Sequence, residues 1–115
     1  MINQEFLSQC SDDQINKGVA WLKAKNLSYS DLGEMLHYND EFLFGMYSDP
    51  LYYCSNPNDI MPIAFANRIG LDSLFSGKWV ALSPSWSSSG IESTTANPLR
   101  AICEVYILMN NQEGV

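Results

Sequence analysis

The strongest hydrophobic pattern in the chain lies near its end, after Asn97. Pro98 follows, and the run continues as LRAICEVYILM, in which only Arg100 and Glu104 are charged. Asn is a preferred helix N-cap and Pro suits the first helical position, so the pattern predicts a helix that begins at Pro98. Arg100 and Glu104 share one stripe of this helix and its other faces are apolar. We therefore expect a C-terminal helix that the rest of the domain nearly encloses.

A second helix is predicted near the N-terminus, from about Asp12 to Lys25. The segment Ser11–Gln14 has the spacing of a capping box, with two acids at the positive end of the helix. Apolar residues follow at helical spacing, namely Ile15, Val19, Trp21 and Leu22. We expect the basic residues on the other face and near the helix end, namely Lys17, Lys23 and Lys25.

The chain between these helices predicts shorter elements. Ser30–Leu36 predicts a short helix, and the aromatic-rich Glu41–Tyr47 predicts a strand. Leu51–Cys54 is a second strand candidate, and Asp49-Pro50 would form the turn of a hairpin between the two. A short helix capped by Asn58 or Asp59 is then expected to end near Arg68.

The remaining segment predicts a strand at Lys78–Leu82, followed by a loop from Ser83 to Ala96. Helices and strands in this order are typical of an α+β fold. We therefore predict one α+β domain over residues 1–115, with an N-terminal helix, a few antiparallel strands and a buried C-terminal helix.

Composition narrows the function classes further. The chain has 115 residues, of which 46% are hydrophobic, as expected of a globular protein. No apolar run approaches the roughly 20 residues that cross a bilayer, and the N-terminus lacks the pattern of a signal peptide. We expect a cytoplasmic protein without membrane contact. Three widely spaced cysteines predict reduced thiols, with no disulfide, no metal site and no cofactor.

The net charge of −7 is unevenly distributed. Residues 26–67 contain six acids and neither Lys nor Arg, so the chain has no basic patch and direct nucleic-acid binding is disfavoured. Five tyrosines share this acidic segment. Aromatic side chains with unneutralised carboxylates suit a surface that docks on a basic protein, so we take Asp40, Glu41 and Asp49 as a candidate acidic partner surface. The alternative is that Phe42, Phe44 and Phe65 belong to the apolar core and that the acids form a solvated face.

The sequence contains no catalytic motif that would assign a reaction. Enzymatic activity therefore stays an open question, and a non-enzymatic protein is favoured. His37 has Glu34 three residues before it, which fits either an oriented general base or an exposed helix end. Arg100 either binds an anion at its helix start or forms an internal salt bridge with Glu104 or an acid such as Asp59.

Two Asn-Pro pairs start the central and the terminal helices. If these starts converge, Asn56, Asp59, Asn97 and Arg100 could line one cleft; otherwise both pairs only delimit helices. In the serine-rich loop, Trp86 is either a recognition anchor or packs back on the domain.

Three blocks of the sequence resemble one protein family. The blocks are SDDQINKGVA from Ser11, YCSNPNDIMPI from Tyr53 with the following NRI, and NPLRA from Asn97. Together they are similar to the NinX-like proteins of tailed bacteriophages and prophages, small accessory proteins of unassigned biochemical function. The resemblance implies an origin and brings no catalytic residues with it.

Two functional hypotheses follow. The first is a non-enzymatic phage protein in the bacterial host cytoplasm that binds and modulates a host factor with a basic surface, as an anti-defence protein would. The second is a protein that binds a nucleotide or another anion, or a minor enzyme, with a cleft at the two Asn-Pro helix starts.

Overall fold

A computed structural model describes residues 3–25, 52–84 and 91–110, without the side chains of residues 21 and 23–25. Four helices and three strands lie in these ranges. The helices are α1 (Gln4–Ser8), α2 (Asp12–Lys25), α3 (Pro57–Asn67) and α4 (Pro98–Asn110). The strands are β1 (Gly70–Ser73), β2 (Trp79–Leu82) and β3 (Glu92–Thr95). The expected α+β fold is confirmed; the extent of one domain over residues 1–115 stays a prediction.

Helix α2 begins at the predicted capping box. The Ser11 amide donates to Gln14 Oε1 at 2.8 Å, and the Gln14 amide donates to Ser11 Oγ at 3.2 Å. The helix spans the predicted residues Asp12–Lys25. The expected position of Lys17 was wrong: its side chain is 6% exposed and its Nζ lies 3.0 Å from Asp13 Oδ2. Its long stem packs inside while its ammonium group reaches a carboxylate one turn away.

Helix α4 is enclosed as the sequence predicts. Each of its 13 residues is buried or half-buried, and Ile102 and Val105 lie in the core. The helix packs against α2, α3 and the sheet, so it has neighbours on several sides. A helix with apolar residues on most faces is stable only in such surroundings.

The three strands form one antiparallel sheet in the order β1-β2-β3. Leu71 pairs with Ala81, and Ala81 pairs with Ser93, so these three side chains share one face. Ala81 and Ser93 are fully buried, which makes this the inner face that packs on α4. The other face, here called the outer face, carries the exposed acids Asp72 and Glu92.

Helix α3 starts earlier than predicted. Its N-cap is Asn56, whose side chain accepts from the Asn58 amide at 3.0 Å, so the proposed caps at Asn58 and Asp59 were wrong. Pro57 explains the difference, since its fixed φ suits the first helical position and favours an extended residue before it. Pro62 therefore lies inside the helix rather than in its first turn. The predicted end is confirmed, with Arg68 as a left-handed C-cap at φ 56°.

Two further sequence predictions fail in the described ranges. In place of the expected strand Leu51–Cys54, of which residues 52–54 are described, the chain forms a turn from Tyr53 to Ser55, because the bonds from the Ser55 and Asn56 amides to the Tyr52 carbonyl close it. The expected loop after Ser83 contains β3, a strand of polar and β-branched residues without an apolar alternation. The predicted helix at 30–36 and strand at 41–47 lie outside the described residues.

One core joins all described layers. Leu7 of α1, Ile15 of α2, Ile60 of α3 and Ile107 of α4 are each fully buried in it. In the described parts of the chain, none of the helices combines the length and apolar character that crossing a bilayer requires.

Candidate functional site

The two Asn-Pro helix starts are joined by one hydrogen bond. Asn97 Nδ2 donates to the Cys54 carbonyl at 2.7 Å, two residues before the cap of α3. Asn97 Oδ1 accepts from the amides of Leu99 at 2.9 Å and Arg100 at 3.4 Å. This one side chain therefore caps α4 and ties it to the turn before α3. The Thr95 hydroxyl, which donates to the Asn97 carbonyl, holds the same residue from the sheet side.

The other two candidates on this side have structural partners. Asn56 caps α3 as described above. Asp59 Oδ2 accepts from the Tyr52 amide at 3.0 Å, which closes the turn that carries Tyr53 and Cys54. These two side chains thus shape the segment that reaches Asn97.

Arg100 connects three elements through its guanidinium. Its Nε lies 2.8 Å from Glu104 Oε2, and Nη1 lies 2.6 Å from Asp12 Oδ1. Its Nη2 donates at 2.7 Å to each of the carbonyls of Leu7 and Cys10, at the end of α1. A guanidinium has five N–H donors, so four are used among the described residues. The internal salt bridge to Glu104 is therefore present, with Asp12 rather than Asp59 as the second acid.

The surroundings of Arg100 stabilise its positive charge in the protein interior. Burial alone would lower the pKa of Arg100, but the hydrogen bonds and charges of Asp12 and Glu104 outweigh it and raise the pKa. Glu104 is 1% exposed, and its Oε1 accepts from the Ser93 hydroxyl at 2.5 Å. Two carboxylates around one guanidinium leave no net positive charge to attract an anion.

A cavity of about 330 Å³ opens beside this network. Its walls are Ser8, Thr94, Thr95, Ala96, Asn97, Arg100 and Glu104. Asn97 and Arg100 are the sequence candidates that it contains, whereas Asn56 and Asp59 do not line it. The exposed walls of the cavity are mostly apolar and its ion pair is neutralised, which suits a small uncharged molecule better than a phosphate.

The cysteines are buried thiols rather than nucleophiles. Cys10, Cys54 and Cys103 are all free and buried. Burial raises the pKa of Cys103, and the hydrogen bond to Cys54 and the charge of Glu104 raise it further, although Arg100 acts in the opposite direction. Burial likewise raises the pKa of Cys10. A high pKa suppresses the reactive thiolate. Within the described ranges, no three His, Cys, Asp or Glu residues are grouped as metal ligands would be.

The sequence reasoning missed the exposed apolar residues of the β1–β2 hairpin. Leu74 donates its amide to the Lys78 carbonyl at 2.8 Å, and Gly77 donates to the Leu74 carbonyl at 3.0 Å. With Gly77 at φ +86°, this is a three-residue hairpin loop, a tightly determined turn. Phe75 lies at the tip of this loop, and its side chain is fully exposed. A Leu-Phe pair directly before Ser76-Gly77 was the available signal, since hairpin tips are usually polar.

Two other aromatic side chains among the described residues are also largely exposed. Phe65 on α3 is 73% exposed, so the alternative that places it in the core is wrong for this residue, and Tyr52 is 60% exposed. Several other candidates lie outside the described residues, namely Trp86, Glu34, His37, Asp40, Glu41 and Asp49.

Comparisons of the chain with protein-family models, with curated protein sequences and with solved structures give no match.

Proposed function

We propose that this protein is a phage- or prophage-encoded accessory protein that binds a host protein in the bacterial cytoplasm and modulates it without catalysis. Antagonism of a host defence protein is the role that we propose for this binding. The origin rests on the resemblance of the three sequence blocks to NinX-like proteins. The binding function rests on the surface of the described residues.

The observation that carries the proposal is the exposure of Phe75. A tight hairpin loop holds this phenylalanine in solvent, where it contributes little to the core. A large apolar side chain on a preorganised loop loses little conformational entropy when it enters a pocket of another protein. Leu74, which is 40% exposed, extends the same apolar tip.

The internal groups support binding rather than catalysis. Arg100 spends its charge on Asp12 and Glu104, and the thiols of Cys10 and Cys103 have raised pKa values. Among the described residues, this guanidinium and these two thiols are thus engaged in the packing of the helices rather than available for catalysis. Function is then expected at the surface.

Charge suggests what kind of partner the surface meets. The chain has a net charge of −7, and the outer face of the sheet carries Asp72 and Glu92. A partner with a basic rim around an apolar pocket complements both features. Charge steering acts mainly on the association rate, which salt screens.

The test starts from capture of host proteins on the immobilised full-length chain at low and high salt. A recurrent partner is then purified, and its association and dissociation rates are measured with wild type and variants. Phe75→Ser should weaken binding at least about tenfold, as expected of an anchoring aromatic residue. Ser76→Ala, in the same loop, is the matched control and should bind as wild type does.

The acidic partner surface has its own variant, with Asp40→Asn, Glu41→Gln and Asp49→Asn combined. This variant should slow association and reduce its dependence on salt. Absence of a specific host partner, or binding that neither Phe75→Ser nor the combined variant weakens, would overturn the proposal.

The cavity beside Arg100 favours a second candidate function, the binding of a small molecule. Its volume and its walls are the observation behind this alternative. A ligand at 100 times its dissociation constant would stabilise the fold by about 2.7 kcal/mol. A thermal-shift screen with nucleotides and small uncharged metabolites tests it; a hit that Ser8→Leu, a substitution in the cavity wall, abolishes favours this alternative, and no shift in the screen excludes it.

A further inference from the structure

The hydrogen-bond register of the hairpin determines which backbone groups of β1 face away from the sheet. The bond from the Leu74 amide to the Lys78 carbonyl makes this pair a hydrogen-bonded one. Such pairs alternate along an antiparallel ladder, so Asp72 bonds with Val80 and Gly70 with Leu82. The N–H and C=O groups of Leu71 and Ser73 therefore point outward, to the free side of β1.

The same reasoning applies to the opposite edge of the sheet. The Ser83 amide donates to the Ile91 carbonyl at 2.8 Å, so Ala81 bonds with Ser93 and the groups of Thr94 point outward. Gln4 of α1 donates its Nε2 to the Thr94 carbonyl at 3.4 Å. Helix α1 thus lies at the β3 edge and satisfies an outward group there.

Among the described residues, none covers the β1 edge in this way. No described residue bonds to the outward groups of Leu71 or Ser73, and three of the four residues of β1 are exposed. An open edge of this kind is a template for another strand. It leads directly into the hairpin tip with Phe75, so edge and tip form one continuous stretch of chain.

We propose that the β1 edge binds an extended segment of the partner protein as a fourth, antiparallel strand with Lys or Arg opposite Asp72. This proposal rests on the proposed function, because it specifies how the host protein is bound. Residues directly opposite in an antiparallel pair share a face, so the cation would meet the Asp72 carboxylate on the outer face. The residues beside it would lie on the inner face, next to Leu71 and Ser73.

The inner face determines the character of those flanking residues. Leu71 packs against the core and pairs with the buried Ala81. An added strand would continue this apolar face with β-branched or other apolar side chains. The partner segment therefore has an apolar-basic-apolar pattern.

Charge also decides against a second copy of this chain as the occupant. Two copies of β1 that used both Leu71 and Ser73 would pair Leu71 with Ser73 of the other copy. That register sets the two Asp72 carboxylates directly opposite each other, where like charges repel. The net charge of −7 on each chain adds to this repulsion. A cationic partner segment removes both penalties.

The experiment uses the full chain and two synthetic heptapeptides, one with the centre Val-Lys-Val and one with Val-Glu-Val between threonines. Before peptide is added, the amides of Leu71 and Ser73 should exchange with solvent faster than that of Asp72. The Lys peptide should shift the resonances of these two amides and bind about fivefold tighter than the Glu peptide, the span of one cross-strand charge pair. Asp72→Lys should reverse the preference.

Ser73→Pro removes an outward N–H and leaves the β1–β2 bonds in place, as proline on a strand edge does. Ser73→Pro should weaken binding of the Lys peptide about tenfold, whereas Ser73→Ala should bind this peptide as wild type does. Circular dichroism and the unfolding midpoint establish whether Ser73→Pro is folded. If it is not, the reversed peptide preference of Asp72→Lys tests the proposal instead.

Three results would overturn the proposal: protected Leu71 and Ser73 amides in the free protein, equal binding of both peptides by wild type, or no binding at millimolar peptide. A host protein that folded Ser73→Pro captures as well as wild type does would also overturn the edge proposal but leave the proposed function intact. Failure of the wild-type chain to capture any host protein would instead reject the proposed function.

Discussion

Glu104 and Arg100, four residues apart on α4, form an ion pair inside the protein with 2.8 Å between Oε2 and Nε. Their side chains are 1% and 13% exposed, so little water is available to replace either partner. The Ser93 hydroxyl binds the second carboxylate oxygen, which connects the pair to β3. Every polar group of the carboxylate therefore has a partner in the fold.

Glu104→Gln is expected to lower the free energy of unfolding by about 3 kcal/mol, because it leaves a buried guanidinium short of one countercharge. Urea unfolding followed by circular dichroism measures the change. Glu92→Gln makes the same substitution at an exposed position of β3 and should stay within about 0.5 kcal/mol of wild type. Equal effects of the two substitutions would contradict a stabilising role of the buried pair.

Asn97→Ala should destabilise the protein more than Asn56→Ala does, although both remove a helix N-cap. Loss of a cap costs about 1 kcal/mol, which is the whole effect expected at Asn56. At Asn97 the substitution also deprives the Cys54 carbonyl of its donor, which adds about 1–3 kcal/mol.

Asn97→Ser separates the two contributions of Asn97, because serine can cap the helix but cannot reach Cys54. Its stability in urea should lie between those of wild type and Asn97→Ala. A value equal to wild type would mean that the bond to Cys54 contributes nothing.

The protein should lose stability above pH 10 through Tyr53. Burial, together with the nearby charge of Asp59, raises the pKa of Tyr53 from 10.0 to about 12. The folded state then holds the phenolic proton more tightly than the unfolded state does, so the free energy of unfolding falls as the pH rises from about 10 to 12. Urea unfolding of Tyr53→Phe across this pH range should show a smaller decrease in the free energy of unfolding than wild type does. Tyr52→Phe, at the largely exposed neighbour, should lose as much as wild type.

Thiol labelling should report the burial of the cysteines. All three are buried, so an aromatic disulfide reagent should modify them only as fast as the fold opens. In denaturant the reagent should release three equivalents at once. Rapid modification of one thiol in the native protein would contradict the packing around it.

The elements that the sequence predicted correctly are those with chemical start and stop signals. The capping box at Ser11 and the Asn97-Pro98 pair each fix a helix start by local hydrogen bonds, which act independently of the rest of the fold. The predicted helix cap at Asn58 or Asp59 was wrong for a reason that is also local. Pro57 makes Asn56 the better cap, and the prediction did not take this into account.

Strands β1 and β3 were missed because their formation depends on their partners. GLDS and ESTT have no apolar alternation of their own, and pairing with β2 and packing on α4 stabilise them. Ser93 shows this clearly, since its buried hydroxyl donates a hydrogen bond to Glu104, which lies on another element.

For the candidate site, a salt bridge of Arg100 with Glu104 was one of two interpretations of the sequence, because both residues lie on one stripe of a helix; the other was anion binding at the helix start. The sequence could not predict Asp12 or the carbonyls of α1 as partners, since these are 88 to 93 residues away along the chain. Likewise, nothing local indicates that Asn97 reaches Cys54. Contacts between distant segments follow from the fold and not from the spacing of residues.

The reach of Arg100 has a consequence for synthesis on the ribosome. The carbonyls of Leu7 and Cys10, in and just after α1, receive its guanidinium only after α4 has been synthesised, about 90 residues later. Until then, the early helices lack the buried helix against which they pack, so a nascent chain stalled before residue 98 should remain open to proteolysis. Helices α1 and α2 therefore complete their packing only when α4 joins them.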